Sequence, residues 1–208
     1  MNKKILSALI LAAMSGAASA AVTYNFSGNG SSSSYNVAST PAGSTVNVTA
    51  FSSTNDDGTG TFKAATINRF GSYGWGIQAQ GETTSSPNHA ADNAGKDEIF
   101  VLDFNTQVDL LKFGIGYAQE HNYWDRADID VWVGGTSALN FTTLCFTGCT
   151  VGNSLAARGF TKVHYEDMSD YSTQNDIGAA TGRYVIIGAE SPAEDGNYDY
   201  VDYFKLQS

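Results

Sequence analysis

From residue 21 onward, the chain alternates short segments rich in Val, Ile, Tyr, Phe and Thr with clusters of Gly, Asn, Asp and Ser. β-Branched and aromatic side chains favour extended strands, whereas the intervening residue types favour turns. The amphipathic periodicity of an α-helix is hard to find anywhere in this part of the sequence. The pattern therefore predicts an all-β protein built from many short strands.

About eleven segments fit the description of a strand. They are Val22–Phe26, Thr45–Phe51, Thr61–Phe70, Trp75–Ala79, Glu98–Phe104, Val108–Tyr117, Asp128–Val133, Ala138–Thr142, Thr161–Tyr165, Arg183–Ala189 and Tyr198–Leu206. Strands that follow one another without intervening helices favour an antiparallel β-sandwich of jelly-roll, galactose-binding-like architecture. The serine-rich segment Gly28–Thr40 is expected to form a loop. The polar stretch Glu166–Thr181 is expected to be a long loop or one short helix.

Two strands indicate which of their faces is buried. In the first, Phe100, Leu102 and Phe104 alternate with residues of the opposite face. In the second, the apolar face carries Leu111, Phe113, Ile115 and Tyr117. Because successive side chains of a strand point to opposite faces, each set is expected to face a core.

The first twenty residues have the pattern of a secretory signal peptide. Lys3 and Lys4 precede the apolar run Ile5–Met14, and the segment ends in Ala18-Ser19-Ala20. The apolar run is much shorter than the ~20 residues that span a bilayer, so a cleaved leader is favoured over a membrane anchor. We therefore expect a signal peptide at residues 1–20, a single domain at residues 21–208, and a secreted protein without a membrane span.

Charge narrows the classes of partner. The chain has 11 basic and 21 acidic residues, which gives a formal net charge of −10. Nucleic-acid binding depends on Lys and Arg neutralising phosphates, and anionic membrane surfaces attract the same residues. The sequence therefore predicts neither kind of partner.

The two cysteines, Cys145 and Cys149, are separated by three residues that include Gly148. In an exported protein a single pair of this kind is most simply a disulfide that closes a tight loop. A zinc site would need further ligands, and the nearest histidine, His164, is fifteen residues from Cys149 without a matching partner. A redox dithiol usually has only two intervening residues. We therefore predict a Cys145–Cys149 disulfide.

Several motifs follow one another in the middle of the chain. Trp75-Gly76-Ile77 precedes the loop at residues 86–98, and that loop reads SPNHAADNAGKDE. The following strand ends in Asp103-Phe104, the next begins with Val108-Asp109-Leu110, and an acidic segment follows at residues 127–131. This succession resembles the ectodomains of exosortase-dependent (PEP-CTERM) bacterial surface proteins. The segments 183–189 and 202–206 are also similar to the closing strands of those domains.

The resemblance implies a setting more than a reaction, because the family is associated mainly with extracellular polysaccharide and biofilm matrix. One difference lies at the C-terminus. The sequence ends Lys205-Leu206-Gln207-Ser208, without the Pro-Glu-Pro motif, membrane helix and basic tail of that family. The expectation is accordingly a freely secreted relative that lacks the sorting anchor.

The segment 92–98 has the composition of a cation-binding loop. It contains three carboxylates and an amide around one glycine, and a further aspartate near the end of the chain could supply a distant ligand. Calcium takes six to eight oxygen ligands of these kinds. The candidate calcium ligands are Asp92, Asn93, Asp97, Glu98 and Asp202. The spacing is not that of an EF-hand, and the alternative is a turn in which Asp92 and Asn93 bond their own backbone.

A polar and aromatic cluster follows the predicted strand Val108–Tyr117. Flat aromatic side chains at a loop can stack on sugar rings while amide, carboxylate and guanidinium groups bond the hydroxyls. The candidate carbohydrate-binding residues are Asn122, Tyr123, Trp124 and Arg126. In the competing interpretation, Trp124 folds back over the core. Trp132 lies within a strand and is expected to be a core residue.

The favoured function is a non-enzymatic, secreted matrix protein that binds extracellular polysaccharide or assembles with matrix components. The first alternative is a structural or adhesive subunit that self-associates through exposed sheet edges. The second is a carbohydrate-active enzyme, which would need two carboxylates such as Asp128 and Asp130 across a sugar site. No hydrolase, zincin or nucleotide-binding motif is present, and a lone His89 is better explained as a strut that orders a loop.

Overall fold

The computed structural model describes residues 10–14, 21–56, 59–83, 90–120, 126–146, 152–170, 173–174, 180–190 and 201–207. These residues form an antiparallel, curled β-sheet with the shape of a half-barrel. Its strands are β1 (Ile10–Met14), β2 (Val22–Tyr24), β3 (Asn29–Ser32), β4 (Ser34–Thr40), β5 (Thr45–Ser53), β6 (Phe62–Ala64), β7 (Thr66–Phe70), β8 (Trp75–Gln78), β9 (Ala91–Asp92), β10 (Glu98–Glu120), β11 (Ile129–Gly134), β12 (Thr161–Tyr165), β13 (Thr173–Gln174), β14 (Thr181–Ala189) and β15 (Asp202–Gln207). Three single-turn 3-10 helices, Gly71–Tyr73, Phe141–Thr143 and Ala156–Arg158, are the helical elements of the described residues. The all-β prediction is confirmed.

Strand β10 is the centre of the sheet. Its first part pairs with β5 on one side and β14 on the other, and its second part pairs with β1, β13 and β15. The sequence predicts two separate strands here, but the chain continues through them as one long, bent strand. The pairing with β14 shifts between Asp103 and Val108, where Asn105 has a φ of 58° and its N–H donates to Asp103 Oδ1. Asparagine tolerates this left-handed conformation, so the strand can bend without ending.

The two faces of β10 contribute to two hydrophobic clusters. Phe100, Leu102 and Phe104 are buried in the larger cluster, as the alternation predicts. Ile99 and Val101 on the opposite face are buried in a smaller one. That smaller cluster also contains Phe62, Trp132, Phe141, Leu144, Phe146, Leu155, Phe160, Tyr184 and Ile186. The sheet is therefore covered on both faces, and the prediction that Trp132 is a core residue is confirmed.

Leu111 departs from the predicted alternation. It is 40% exposed, whereas Leu110 and Phe113 are buried. The pairing of β10 with β1 shifts between Leu110 and Lys112, which inserts one extra residue into the strand. A β-bulge of this kind moves the following side chains to the other face, so Leu111 faces solvent while Phe113 and Ile115 remain in the core.

The segment Gly28–Thr40 contains the strands β3 and β4, so the loop prediction for it is wrong. Strand β4 pairs with β5 along its length, and β3 pairs with β7. Tyr35 packs 5.0 Å from the Trp75 ring, and the guanidinium of Arg69 lies 4.0 Å above the Tyr35 ring. Tertiary contacts thus stabilise strands in a sequence with little intrinsic preference for them.

The prediction of a strand at Ala138–Thr142 is also wrong. The residues around it form the 3-10 helix Phe141–Thr143, and Asn140 accepts a hydrogen bond from the N–H of Thr142. An asparagine before such a turn satisfies a backbone donor that a strand partner would otherwise bond. Phe141 and Leu144 are buried, so this segment packs on the sheet instead of extending it.

Strand β1 lies within the predicted signal peptide. Its backbone pairs with β2 and with Val108–Lys112 of β10. Among the described residues, no helix is long and apolar enough to cross a membrane.

The opposite environments of two leucines on β10 give the first prediction. Leu102→Ala should lower the free energy of unfolding by about 2 to 5 kcal/mol, because Leu102 is fully buried. Leu111→Ala should change it by less than about 0.5 kcal/mol, because the bulge exposes that side chain. Urea denaturation of both variants measures the difference. Equal losses would show that Leu111 faces the core and that the bulge is absent.

Candidate functional site

Acidic side chains converge at one end of the curled sheet. Glu98 begins β10, Asp202 begins β15 and Asp92 ends β9, while Asp128 precedes β11 and Glu190 follows β14. Antiparallel pairing brings these starts and ends together, since Glu120 at the end of β10 pairs with Asp202 and Asp92 pairs with Tyr203. The buried members of this group, here called the acidic end, are Asp92, Asp97, Glu98, Asp130, Glu190 and Asp202.

Asp92 and Glu98 form the first part of the acidic end, and both are essentially inaccessible to solvent. Asp92 Oδ1 accepts a hydrogen bond of 2.9 Å from the N–H of Ala94, and Glu98 Oε2 accepts one of 3.3 Å from the N–H of Asp92. The other oxygens, Asp92 Oδ2 and Glu98 Oε1, are buried without a hydrogen-bond partner. Asp92 therefore makes the backbone turn that was predicted for it, whereas the side chain of Asn93 bonds distant parts of the chain. Two of the four carboxylate oxygens of Asp92 and Glu98 have no hydrogen-bond partner.

Neighbouring carboxylates add to the charge at this point. Burial raises the pKa of Asp92 to about 8, the Ala94 N–H opposes the shift, and Glu82 and Asp97 increase it. Burial likewise raises the pKa of Glu98 well above its ordinary value, and Asp92 and Glu82 raise it further. Glu82, which no sequence motif identified, follows β8 and accepts a 2.9 Å hydrogen bond from the Ala79 N–H.

Lys96 is the cation nearest in sequence to Asp92 and Glu98, but it pairs with a different carboxylate. Its ammonium pairs at 3.0 Å with Asp56, whose side chain is 81% exposed. The lysine therefore serves a surface ion pair. The balance of described charges around Asp92 and Glu98 favours protonation of the carboxylates or binding of a cation.

Asn93 and Asp202, two other predicted calcium ligands, hold strands together. Asn93 Oδ1 accepts a 2.8 Å hydrogen bond from the Asp202 N–H, and Asn93 Nδ2 donates to the carbonyl of Glu190 at 2.6 Å. Asp202 Oδ1 accepts a 2.9 Å hydrogen bond from the N–H of Asp128. Burial raises the pKa of Asp202 to about 7, and the carboxylates of Asp128, Glu120 and Glu190 contribute. Both residues therefore bond protein groups from three different parts of the chain.

A second part of the acidic end surrounds His164, which sequence spacing did not identify. Asp130 on β11 pairs in register with His164 on β12, and the side-chain atoms Asp130 Oδ1 and His164 Nδ1 are 3.0 Å apart. Asp130 Oδ2 is 2.8 Å from Lys162 Nζ. Glu190 Oε1 lies 3.6 Å from His164 Nδ1. The alternation of the strand could have indicated this group, because it places Lys162 and His164 on the same face.

His164 and Glu190, two titratable groups of this second part, have shifted pKa values. For His164, burial opposes the charged form, but the hydrogen bond to Asp130 and the charge of Glu190 raise the pKa overall. Burial raises the pKa of Glu190 to about 7, although His164 counteracts this shift. The carboxylates of this part, Asp128, Asp130 and Glu190, outnumber its cationic groups, Lys162 and His164.

Of the predicted carbohydrate-binding residues, only Arg126 is described. Its guanidinium is half exposed and pairs with Asp167 at 3.1 Å. Asn122, Tyr123 and Trp124 lie outside the described residues, as does His89. Glu120 and Arg126, the described residues that flank this segment, lie beside Asp202 and Asp167 respectively.

The predicted disulfide involves one described residue. Cys145 is fully buried, and no free cysteine occurs among the described residues. Cys149 lies outside them, so the disulfide stays a prediction.

No protein-family model matches the chain, and comparisons with curated proteins and with solved structures find no significant match.

The bonds of Asn93 lead to the second prediction. Asn93→Ala should lower the free energy of unfolding by about 2 to 5 kcal/mol, because it leaves buried groups of Glu190 and Asp202 without their partner. Asn47→Ala is the control, since Asn47 bonds only the exposed side chain of Asn36 through its amide nitrogen, and it should cost less than about 0.5 kcal/mol. Urea denaturation measures the free energy of unfolding of both variants. A similarly small loss in both would show that Asn93 does not hold these segments together.

Proposed function

We propose that this chain is an exported, non-enzymatic β-sandwich of jelly-roll type that acts in the extracellular matrix. In this proposal the acidic end binds calcium, and the adjoining loop at residues 121–126 binds polysaccharide. The observation that carries the proposal is the pair of buried oxygens without hydrogen-bond partners, Asp92 Oδ2 and Glu98 Oε1. The matrix setting rests on the predicted leader and on the resemblance to PEP-CTERM ectodomains.

Calcium would satisfy the oxygens of Asp92 and Glu98 that lack hydrogen-bond partners. Burying a carboxylate without compensation is costly, and several close together repel one another. Calcium is a hard cation that binds carboxylate oxygens in flexible geometry. The proposed ligands are Asp92, Asp97, Glu98 and Glu82. Asn93 and Asp202, whose polar atoms already bond protein groups, position the loop in this proposal instead of coordinating the ion.

Polysaccharide binding is proposed for the loop because of where its ends lie. Glu120 and Arg126 bound the loop at the acidic end, beside Asp202 and Asp167 respectively. An ion that fixes this end would also fix the base of the loop. Trp124 and Tyr123 would then present aromatic rings to sugar faces, with Asn122 and Arg126 bonding hydroxyl groups.

One observation favours self-association as a second candidate. Among the described strands, β12 pairs only with β11 and so lies at an edge of the described sheet, where a strand from another copy could add. An enzymatic role has less support from the pair Asp128 and Asp130. Asp130 is fully buried and contacts Lys162 and His164, which does not suit a carboxylate that must reach a sugar.

Calcium provides the third prediction. Calcium at about a hundred times its Kd should stabilise the purified, chelator-treated protein by about 2.7 kcal/mol, because it binds only the folded state. The melting temperature should rise by about 5 to 10 °C. Magnesium should have a smaller effect, because it demands octahedral geometry and gives up water reluctantly. Differential scanning calorimetry with each ion measures both shifts.

Variants identify the residues responsible for the calcium response. Glu98→Gln and Asp92→Asn should abolish it, and each should leave the calcium-free protein as stable as before or more stable, because a buried charge is removed. Asp56→Asn should keep the full response, since this exposed aspartate only pairs with Lys96. A response that persists in Glu98→Gln, or is absent from the unaltered protein, would rule out this site.

Polysaccharide binding gives the fourth prediction. Trp124→Ala should abolish retention on an array of matrix polysaccharides while the melting temperature stays nearly constant. The matched variant Trp132→Ala should lower the free energy of unfolding by about 3 to 5 kcal/mol, because Trp132 is buried in the smaller cluster. If Trp124→Ala destabilises the protein as strongly as Trp132→Ala does, Trp124 is a core residue. If the unaltered protein binds no glycan but forms oligomers by light scattering, self-association replaces this proposal.

A further inference from the structure

A group of mixed donors lies in the second part of the acidic end. Asp128, His164 and Glu190 each offer one ligand atom, and these atoms all lie within 4.8 Å of one another. The residues come from three elements, since Asp128 precedes β11, His164 lies on β12 and Glu190 follows β14. None of them belongs to the proposed calcium ligands.

The separation between the donor atoms of His164 and Glu190 is close to that of a small coordination shell. Zinc bonds to nitrogen and oxygen at about 2.0 to 2.2 Å, so neighbouring ligands of a tetrahedral site are roughly 3.3 Å apart. His164 Nδ1 is 3.6 Å from Glu190 Oε1, and the donor atom of Asp128 lies within 4.8 Å of those of the other two residues. A cation between His164 and Glu190 is therefore within reach of Asp128 after a small movement of its side chain.

The surrounding groups hold these donors in place. Asp128 Oδ1 accepts a 2.7 Å hydrogen bond from the Asp167 N–H, and the backbone of Asp128 bonds both Asp202 and Glu190. Lys162 fixes Asp130 through its second oxygen, Oδ2. Such outer contacts orient ligands and are typical of metal sites.

We propose that His164, Glu190 and Asp128 bind a divalent transition-metal cation of the zinc type. The imidazole selects this class, because calcium and magnesium prefer oxygen donors alone. Binding at His164 Nδ1 requires that nitrogen to be without its proton, so any proton there passes to solvent when the cation binds. The site is separate from the proposed calcium site and does not depend on it.

The test titrates the purified, chelator-treated full-length protein with zinc chloride at neutral pH. Zinc at about a hundred times its Kd should raise the melting temperature by about 5 to 10 °C, with one ion bound per chain by calorimetry. Cobalt(II) in place of zinc should give the visible absorption of a coordinated ion with a nitrogen ligand. Calcium should not compete for this site at equal concentration.

Variants distinguish zinc binding at this site from binding at the other histidines and at the proposed calcium site. His164→Gln and Glu190→Gln should each weaken zinc binding by at least about tenfold and remove the cobalt absorption. His89→Gln and His121→Gln, which alter the other two histidines of the chain, should leave both unchanged. Glu98→Gln should retain the zinc response even though it removes the calcium response.

The proposal is overturned if zinc gives no thermal shift and no binding heat. It is also overturned if binding survives in His164→Gln or is lost in His121→Gln. Circular dichroism of each variant in the absence of metal establishes that it folds. If His164→Gln alone fails to fold, the Glu190→Gln variant and the cobalt spectrum decide the outcome.

Discussion

The backbone hydrogen bonds of β10 are the constraint on which the rest of the structure depends. This strand pairs on both sides and bends within its length. Its first part pairs with β5 and β14, and its second part pairs with β15. Its first part has one apolar face against the larger cluster and the other against the smaller one. A strand buried on both faces cannot shift its register by one residue without turning its whole apolar set around. The positions of β5, β14 and β15, and hence of the residues at their ends, follow from that register.

The concentration of carboxylates at one end of the sheet is a consequence of this pairing. Glu98 is the first residue of β10, β15 begins at Asp202, and Glu190 directly follows β14. Burial there works against the charged forms, and the described cations are too few to balance them. The raised pKa values of Asp92, Glu98, Glu190 and Asp202 have this common cause. Such a site stores unfavourable charge interactions that a bound cation would relieve.

The acidic end divides into two chemically different parts. Around Asp92 and Glu98, the described side chains offer only oxygen, and two of those oxygens lack hydrogen-bond partners. Around His164, a nitrogen donor joins the carboxylates, and Lys162 supplies partial neutralisation. Asn93 and Asp202 lie between them and bond each other, Glu190 after β14, and Asp128 before β11. The two proposals therefore concern different classes of ion at neighbouring but separable positions.

The sequence determined the all-β class, most strand positions and the burial of Phe100, Leu102, Phe104 and Trp132, because these depend on local alternation and side-chain type. It also pointed to the loop of Asp92 and Glu98, whose composition is unusual over a few consecutive residues. Only the tertiary structure decided that Gly28–Thr40 forms strands, that a bulge exposes Leu111, and that Glu82 and His164 join the acidic end. Each of these depends on pairing between distant segments, and a sequence pattern read locally does not contain the register of that pairing. The same register gives Asn93 and Asp202 the hydrogen bonds that hold the acidic end together.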